Sequence, residues 1–220
     1  MASPALVEWL RYYKDLGVDC LAVPKVGAST PTQVNLEELH RQIMKCKRCP
    51  LHRTRQNAVP GEGAKRPAIL FIGEGPGEQE DRVGRPFVGK AGQLLDRMIE
   101  RMGHSRESVF IGNIVKCRPP GNRDPNTEEV SACLPYLKTQ IALLRPRIIV
   151  CLGKVAVNRL LDMDTPISRM RGRVFSFEGI PVIPTYHPSY ILHQRGREAV
   201  SRAKWEVWAD MQEVLKRIES

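Results

Sequence analysis

Four short apolar runs, Ala68–Ile72, Val109–Ile114, Arg147–Leu152 and Ile180–Thr185, alternate with segments whose apolar residues recur at helical spacing. A near-continuous apolar run is the signature of a strand buried on both faces, since neither face carries the polar alternate of a half-solvated strand. The intervening segments Gly89–Met102, Thr127–Leu144 and Lys154–Leu161 read as helices. Parallel strands need crossovers of about this length, so the alternation predicts an α/β fold around a parallel sheet. A terminal helix, Arg197 to Ile218, aligns Val200, Val207, Trp208, Met211, Val214, Leu215 and Ile218 on one face. Asn35 is placed to cap a helix carrying Leu36, Leu39, Ile43 and Met44. Residues 1–34 read as an extension: an amphipathic helix over Pro4–Leu16, then a Pro/Gly/Ser/Thr stretch ending near Thr32. Residues 35–220 form the main domain, and 220 residues with 42% apolar content suffice for one good core.

Unusual residues collect at the predicted strand ends. Gly73-Glu74 follows the first strand, Asn113 ends the second, Gly153-Lys154 follows the third and His187 follows the fourth. Open α/β sheets bind ligands outside the carboxyl ends of their strands, so one pocket is expected to gather all four. Gly73-Glu74-Gly75-Pro76-Gly77 is not a dinucleotide fingerprint, because the last required glycine is absent and a proline interrupts the turn. It supplies a tight backbone with free amides and the Glu74 carboxyl. Phe87, held between Gly84 and Gly89, can stack on a planar ring or simply pack in the core.

Cys46-Lys-Arg-Cys49 is followed by Cys117 and Cys133, the latter two with fifteen residues between them. Tetrathiolate spacing points to a metal centre rather than to disulfides, and a structural zinc or an iron–sulfur cluster satisfies it equally. Cys151, inside an apolar strand, reads as a core residue, and Cys20 has no assignment. The formal charge of +10 favours polyanions, because phosphate contacts release counterions. The amino terminus lacks the basic and apolar regions of a secretion signal, and no apolar stretch reaches membrane-spanning length. A cytoplasmic location is expected.

The segments Gly73–Asp81, Arg85-Pro86-Phe87-Val88-Gly89, Gly112-Asn113-Ile114-Val115-Lys116-Cys117 and His187-Pro188-Ser189 resemble, in this order, the family 4 uracil-DNA glycosylases. The cysteine frame is similar as well, and the resemblance spans about residues 35–218. It implies a three-layer α/β/α domain with a central four-stranded parallel sheet, and a [4Fe–4S] cluster on Cys46, Cys49, Cys117 and Cys133. It also implies a monomer acting on uracil-containing DNA in base excision repair. Phe87 would stack on an extruded uracil, Asn113 would bond its O4 and N3–H edge, and backbone around Gly73, Gly75 and Gly77 would complete the contacts. His187 would donate to O2 of the departing base, and Glu74 would hold or activate water. Glu80 or backbone near Gly77 is the candidate for excluding the thymine methyl.

A base within a duplex must be flipped out before it can be cleaved. Ile191, beyond the HPS triplet, is the expected wedge, with core packing as its competitor; Ser189 is the expected phosphate ligand, and Arg171 and Arg195 are the expected backbone contacts, with a plain solvated face as their alternative. The pocket motifs show no lysine or amino-terminal proline marked as an imine nucleophile, so no strand-cleaving step is expected. A uracil-DNA binding or trapping protein is the alternative, although the Arg118–Asn126 stretch lacks the histidine with which related iron–sulfur proteins capture the sugar. A zinc-stabilised nucleic-acid binding module is a third reading, and it leaves Glu74, Asn113 and His187 without a purpose.

Overall fold

The structure is a computed structural model and describes residues 35–219. The extension over residues 1–34, with its expected helix and Cys20, lies outside the described residues. The first helix, α1 (Leu36–Lys45), is capped as expected, with the Asn35 side chain accepting from the Glu38 amide at 2.8 Å. It buries Leu39 and Ile43 against Ala58 and ends at Cys46.

The remaining elements run β1 (Glu62–Gly63), β2 (Ile69–Gly73), α2 (Glu78–Val83), α3 (Lys90–Arg101), β3 (Phe110–Asn113), α4 (Thr127–Leu144), β4 (Ile148–Leu152), α5 (Lys154–Leu161), α6 (Ile167–Met170), β5 (Phe175–Phe177), β6 (Ile180–Thr185), α7 (Pro188–His193) and α8 (Arg197–Glu219), with 3-10 turns at Pro50–Arg53 and Pro120–Asn122. The sheet order is β1-β3-β2-β4-β6-β5. The four expected strands are its parallel core, and short antiparallel strands β1 and β5 close the edges, making six in all. At two and three residues, the edge strands carry no readable periodicity.

Alternate strand residues feed two cores. Ile69, Phe71, Ile111, Val150 and Ile183 meet Leu95 and Ile99 of α3 and Val207, Met211 and Val214 of α8. Leu70, Ile72, Phe110, Ile149 and Cys151 meet Leu137 and Ile141 of α4 and Val157 and Leu160 of α5. Each such side chain contributes roughly 1.5–3 kcal/mol on burial, which explains why the strands read as unbroken apolar runs. The layers are therefore helix, sheet, helix. A capping box between Asn126 and Glu129 starts α4 where the sequence predicts. No described helix is long and apolar enough to cross a membrane.

From β2 the chain moves outward to β3, then crosses back over β2 to β4 and continues to β6. That reversal opens a crevice at the carboxyl ends of β2 and β4.

Candidate active site

The crevice is a cleft of about 760 Å³ lined by Glu74, Gly75, Gly77, Phe87, Asn113, Gly153 and His187 among others. The four strand-end positions do meet in one pocket. Phe87 is buried and takes a left-handed backbone with φ of 51°. Two clamps hold that conformation. Arg106, itself paired with Glu62 and Asp96, donates to the carbonyls of Phe87, at 3.1 Å, and of Pro86. Glu80 accepts from the amides of Val88 and Gly89, both at 2.8 Å. The first turn of α3 presses so close that a Cβ on Gly92 would lie 1.8 Å from the Phe87 carbonyl oxygen, which is why glycine stands there. Glu80 thus shapes the Phe87 loop, an employment different from the methyl-excluding part expected of it.

Asn113 closes β3 and is 1% exposed. Its Oδ1 is buried with no hydrogen-bond partner among the described residues. An orphaned buried acceptor is costly unless a ligand satisfies it. Gly73 lies between this oxygen and the Phe87 ring: a Cβ there would sit 2.5 Å from Asn113 Oδ1 and 2.6 Å from Phe87 Cζ. The main chain beyond Gly73 is pinned, since Val115 N donates to Glu74 O at 3.0 Å.

His187 caps α7, and its ring centroid lies 5.6 Å from that of Phe87 at an interplanar angle of 34°. Nδ1 receives the Ser189 amide at 3.2 Å and lies 2.7 Å from Ser189 Oγ. A nitrogen that accepts an amide N–H carries no proton, so the imidazole proton resides on Nε2. Burial pulls the His187 pKa down to about 4, weakly opposed by Glu80, and the ring is neutral at pH 7. Glu74 faces the cleft with its carboxyl against that of Asp124, from the loop before α4. Burial pushes its pKa up to about 7, assisted by the neighbouring Asp124. Asp124 carried no sequence signal beyond its place in the Arg118–Asn126 stretch. Lys90 and Lys154 also line the cleft, although nothing in the motifs marks either as an imine nucleophile. Both are exposed at the rim, and Lys154 is 3.3 Å from Asp164.

Two of the expected DNA contacts are corrected. Ile191 is 4% exposed and belongs to the α3/α8 core, whereas its neighbours Tyr190 and Leu192 are 40% and 45% exposed. A side chain already committed to the core cannot also be a wedge without unpacking, so the apolar tip of the loop is Tyr190 and Leu192. Arg171 is withdrawn from solvent too: it donates to Glu206 O, pairs with Asp210 at 3.2 Å and lies over the Tyr186 ring at 5.2 Å. Its charge is spent on tying the segment before β5 to α8. Ser189 turns its hydroxyl and amide onto His187, the two groups expected to hold phosphate. Arg195 is exposed.

Cys46, Cys49, Cys117 and Cys133 are unpaired thiols lining one small cavity with Arg55, Lys116 and Tyr136. Donors converge on their sulfurs: Arg55 Nη1 to Cys117 at 2.9 Å, the Lys116 amide to Cys133 at 3.2 Å and the Arg48 amide to Cys46 at 3.4 Å. Arg55 Nη2 also binds the carbonyls of Met44 and Cys46, both at 3.0 Å, and so staples the Cys-x2-Cys loop to Cys117. Burial pushes the Cys133 thiol up to about 11. No three of the described His, Cys, Asp and Glu side chains group tightly enough for a single metal ion. Cys151 is a core residue on β4, as expected.

The α/β fold agrees with the comparisons to known proteins. Residues 60–212 match the model of the uracil DNA glycosylase superfamily, and the chain belongs to that superfamily. Within it the chain is similar to type-4 uracil-DNA glycosylases. It is 45% identical over 170 residues to that of Pyrobaculum aerophilum, covering 73% of this chain and 86% of the relative. It is 46% identical over 168 residues to that of Archaeoglobus fulgidus, covering 73% and 84%, and 47% identical over 165 residues to that of Thermotoga maritima, covering 74% and 86%.

Proposed function

We propose that this chain is a monofunctional hydrolase that cleaves the N-glycosidic bond of uracil in single- and double-stranded DNA and leaves an abasic site. The observation that carries the reading is the orphaned Asn113 Oδ1, buried beside the Phe87 ring with only Gly73 between them. It leaves a flat slot with an acceptor on its wall, complementary to the N3–H of uracil. Cytosine has a bare N3 acceptor there and would face oxygen with a lone pair, a mismatch that a desolvated site penalises heavily.

In the proposed reaction the C1′–N1 bond breaks and its electron pair passes to the base, where negative charge accumulates on O2. Neutral His187 donates its Nε2 proton as a hydrogen bond to that oxygen, and the bond strengthens as charge grows. The sugar becomes oxocarbenium-like, water adds to C1′, and ionised Glu74 takes up the water proton. Lys90, Lys154 and Arg195 at the rim suit phosphates, and Tyr190 with Leu192 suits the gap that a flipped base leaves. The exposure of both lysines supports phosphate contact rather than imine chemistry, in keeping with the absence of a lyase step.

Cys46, Cys49, Cys117 and Cys133 would hold a [4Fe–4S] cluster. A common cavity lined by all four thiols, with N–H donors on three of the sulfurs, supports this reading, since such donors suit cluster-bound thiolates. When bound it supplies a structural tie between α1, the β3–α4 loop and α4. The protein is proposed to act as a monomer. Residues 1–34 are proposed as a separate extension, and a cytoplasmic site of action follows from the substrate.

Release of free uracil from a labelled oligonucleotide tests the activity. The parent should release it, while Asn113→Ala and His187→Ala should each lose on the order of 10²-fold or more in rate. A parent that binds uracil-containing DNA without turnover, or forms a denaturation-resistant adduct, would move the reading to the binding or trapping alternative.

A further inference from the structure

We infer that Lys116 couples the cysteine site to the uracil pocket, its buried ammonium bracing Asn113 while drawing its counter-charge from what the cysteines hold. The inference rests on the reading of these cysteines as a cluster site and of Asn113 as the base reader. In a chain of net charge +10 a lysine is expected at the surface, yet Lys116 is 1% exposed. Its Nζ donates to the Asn113 carbonyl at 2.9 Å and to Gln140 Oε1 at 2.6 Å. Gln140 is anchored in turn, giving its Nε2 to the Pro60 carbonyl at 2.8 Å. Both acceptors of the ammonium are neutral.

A buried charge persists only where something of opposite sign compensates it. The ion pairs found among the described residues do not include Lys116; the ionisable groups of acid type that act on it are the Cys133 and Cys117 thiols, which a bound metal centre would hold as thiolates. Lys116 also gives its own amide to Cys133 Sγ at 3.2 Å, and Cys117 is the next residue in the chain. Thiolates around iron form a net anion, so an occupied cysteine cavity supplies the missing charge. At its other end the same side chain fixes the main chain of Asn113, whose unpartnered Oδ1 faces the slot. Occupancy of one site is thereby felt in the other through a single buried residue.

The test compares thermal unfolding of cluster-loaded and cluster-stripped full-length protein for the parent, Lys116→Met and Gln140→Glu. Bound iron and sulfide are assayed, and the affinity of the loaded forms for free uracil is measured by calorimetry. Loading should raise the melting temperature of the parent, and that rise should shrink in both variants. Methionine removes the charge that needs compensation, and glutamate supplies a rival anion. The altered contacts of Gln140 Nε2 with the Pro60 carbonyl and, at 3.2 Å, with His40 Nε2 burden loaded and stripped Gln140→Glu equally, so they leave the comparison intact. Uracil affinity should fall about tenfold in Lys116→Met, the loss of one charge-assisted hydrogen bond, and stay within about twofold in Gln140→Glu, where the brace remains. If Lys116→Met fails to fold, Gln140→Glu alone decides through the size of its loading effect. A parental loading effect in the variants, or parental affinity in Lys116→Met, overturns the coupling while leaving the cluster and glycosylase readings standing. A parent without iron and sulfide instead overturns the cluster reading, and the coupling with it.

Discussion

Gly73→Ala addresses the pocket with one methyl group. Its Cβ would stand 2.5 Å from Asn113 Oδ1 and 2.6 Å from Phe87 Cζ. Ordinary contacts of this kind lie near 3.5–4 Å, so the amide and the ring must each retreat by roughly 1 Å. Neither retreats freely: Asn113 is gripped at its carbonyl by Lys116, and the Phe87 loop is clamped by Arg106 and Glu80. Gly73 itself has no left-handed φ, so the effect is steric rather than a matter of backbone strain. Overpacking of this size costs about 1–3 kcal/mol, leaving the protein folded and melting a few degrees lower. The effect on catalysis is larger, because a displacement of roughly 1 Å from productive geometry costs on the order of 10²-fold. Single-turnover release of uracil from an oligonucleotide, with circular dichroism melting and iron content as controls, reads both quantities. A folded Gly73→Ala protein that releases uracil at the parental rate would refute the assignment of Gly73, Phe87 and Asn113 as the walls of the base slot.

Glu74 has its pKa raised to about 7, so a rate that depends on its ionised form should climb as pH rises through that value. Asp124→Asn removes the neighbouring carboxylate and should move this rising limb to lower pH in a pH–rate profile. The sign for stability is opposite: protonated Glu74 favours the folded state, a contribution present at low pH and lost as pH rises through about 7. Glu74→Gln should therefore gain melting temperature relative to the parent at about pH 8 and little at about pH 5. For the loop after His187, Ile191→Ala should cost about 2–5 kcal/mol in denaturant unfolding, as a core truncation does. Leu192→Ala should leave stability nearly unchanged and slow uracil release from duplex more than from single strands; equal slowing on both would remove Leu192 from any part in base extrusion.

The readable parts of the fold are those whose physics is local. Four parallel strands announce themselves because burial on both faces leaves no room for polar alternates, and α4 because its apolar residues recur at helical spacing, whereas its Asn126–Glu129 capping box is seen only in the structure. The helices α2, α6 and α7, at six, four and six residues, are too short for periodicity and were not foreseen. The strand-end positions anticipated the shared cleft, since strand ends in a sheet of this kind converge whatever the side chains are.

Side-chain employment is another matter, because it depends on partners that topology brings from afar. Arg171 and Lys116 are both basic residues in a basic chain, and composition offers both to phosphate. Arg171 instead meets Asp210, 39 residues away, and Lys116 meets Gln140, 24 residues away. Ile191 and Leu192 are adjacent and chemically alike, yet the turn of α7 sends one into the core and the other into solvent. A short helix beside the pocket therefore decides by rotation alone which apolar residue can meet DNA. The same holds for charge: among the described residues buried Asp81, Glu129 and Asp210 outnumber buried Lys116, so burial withdraws more negative than positive charge and leaves the surface more attractive to a polyanion than a count of residues implies.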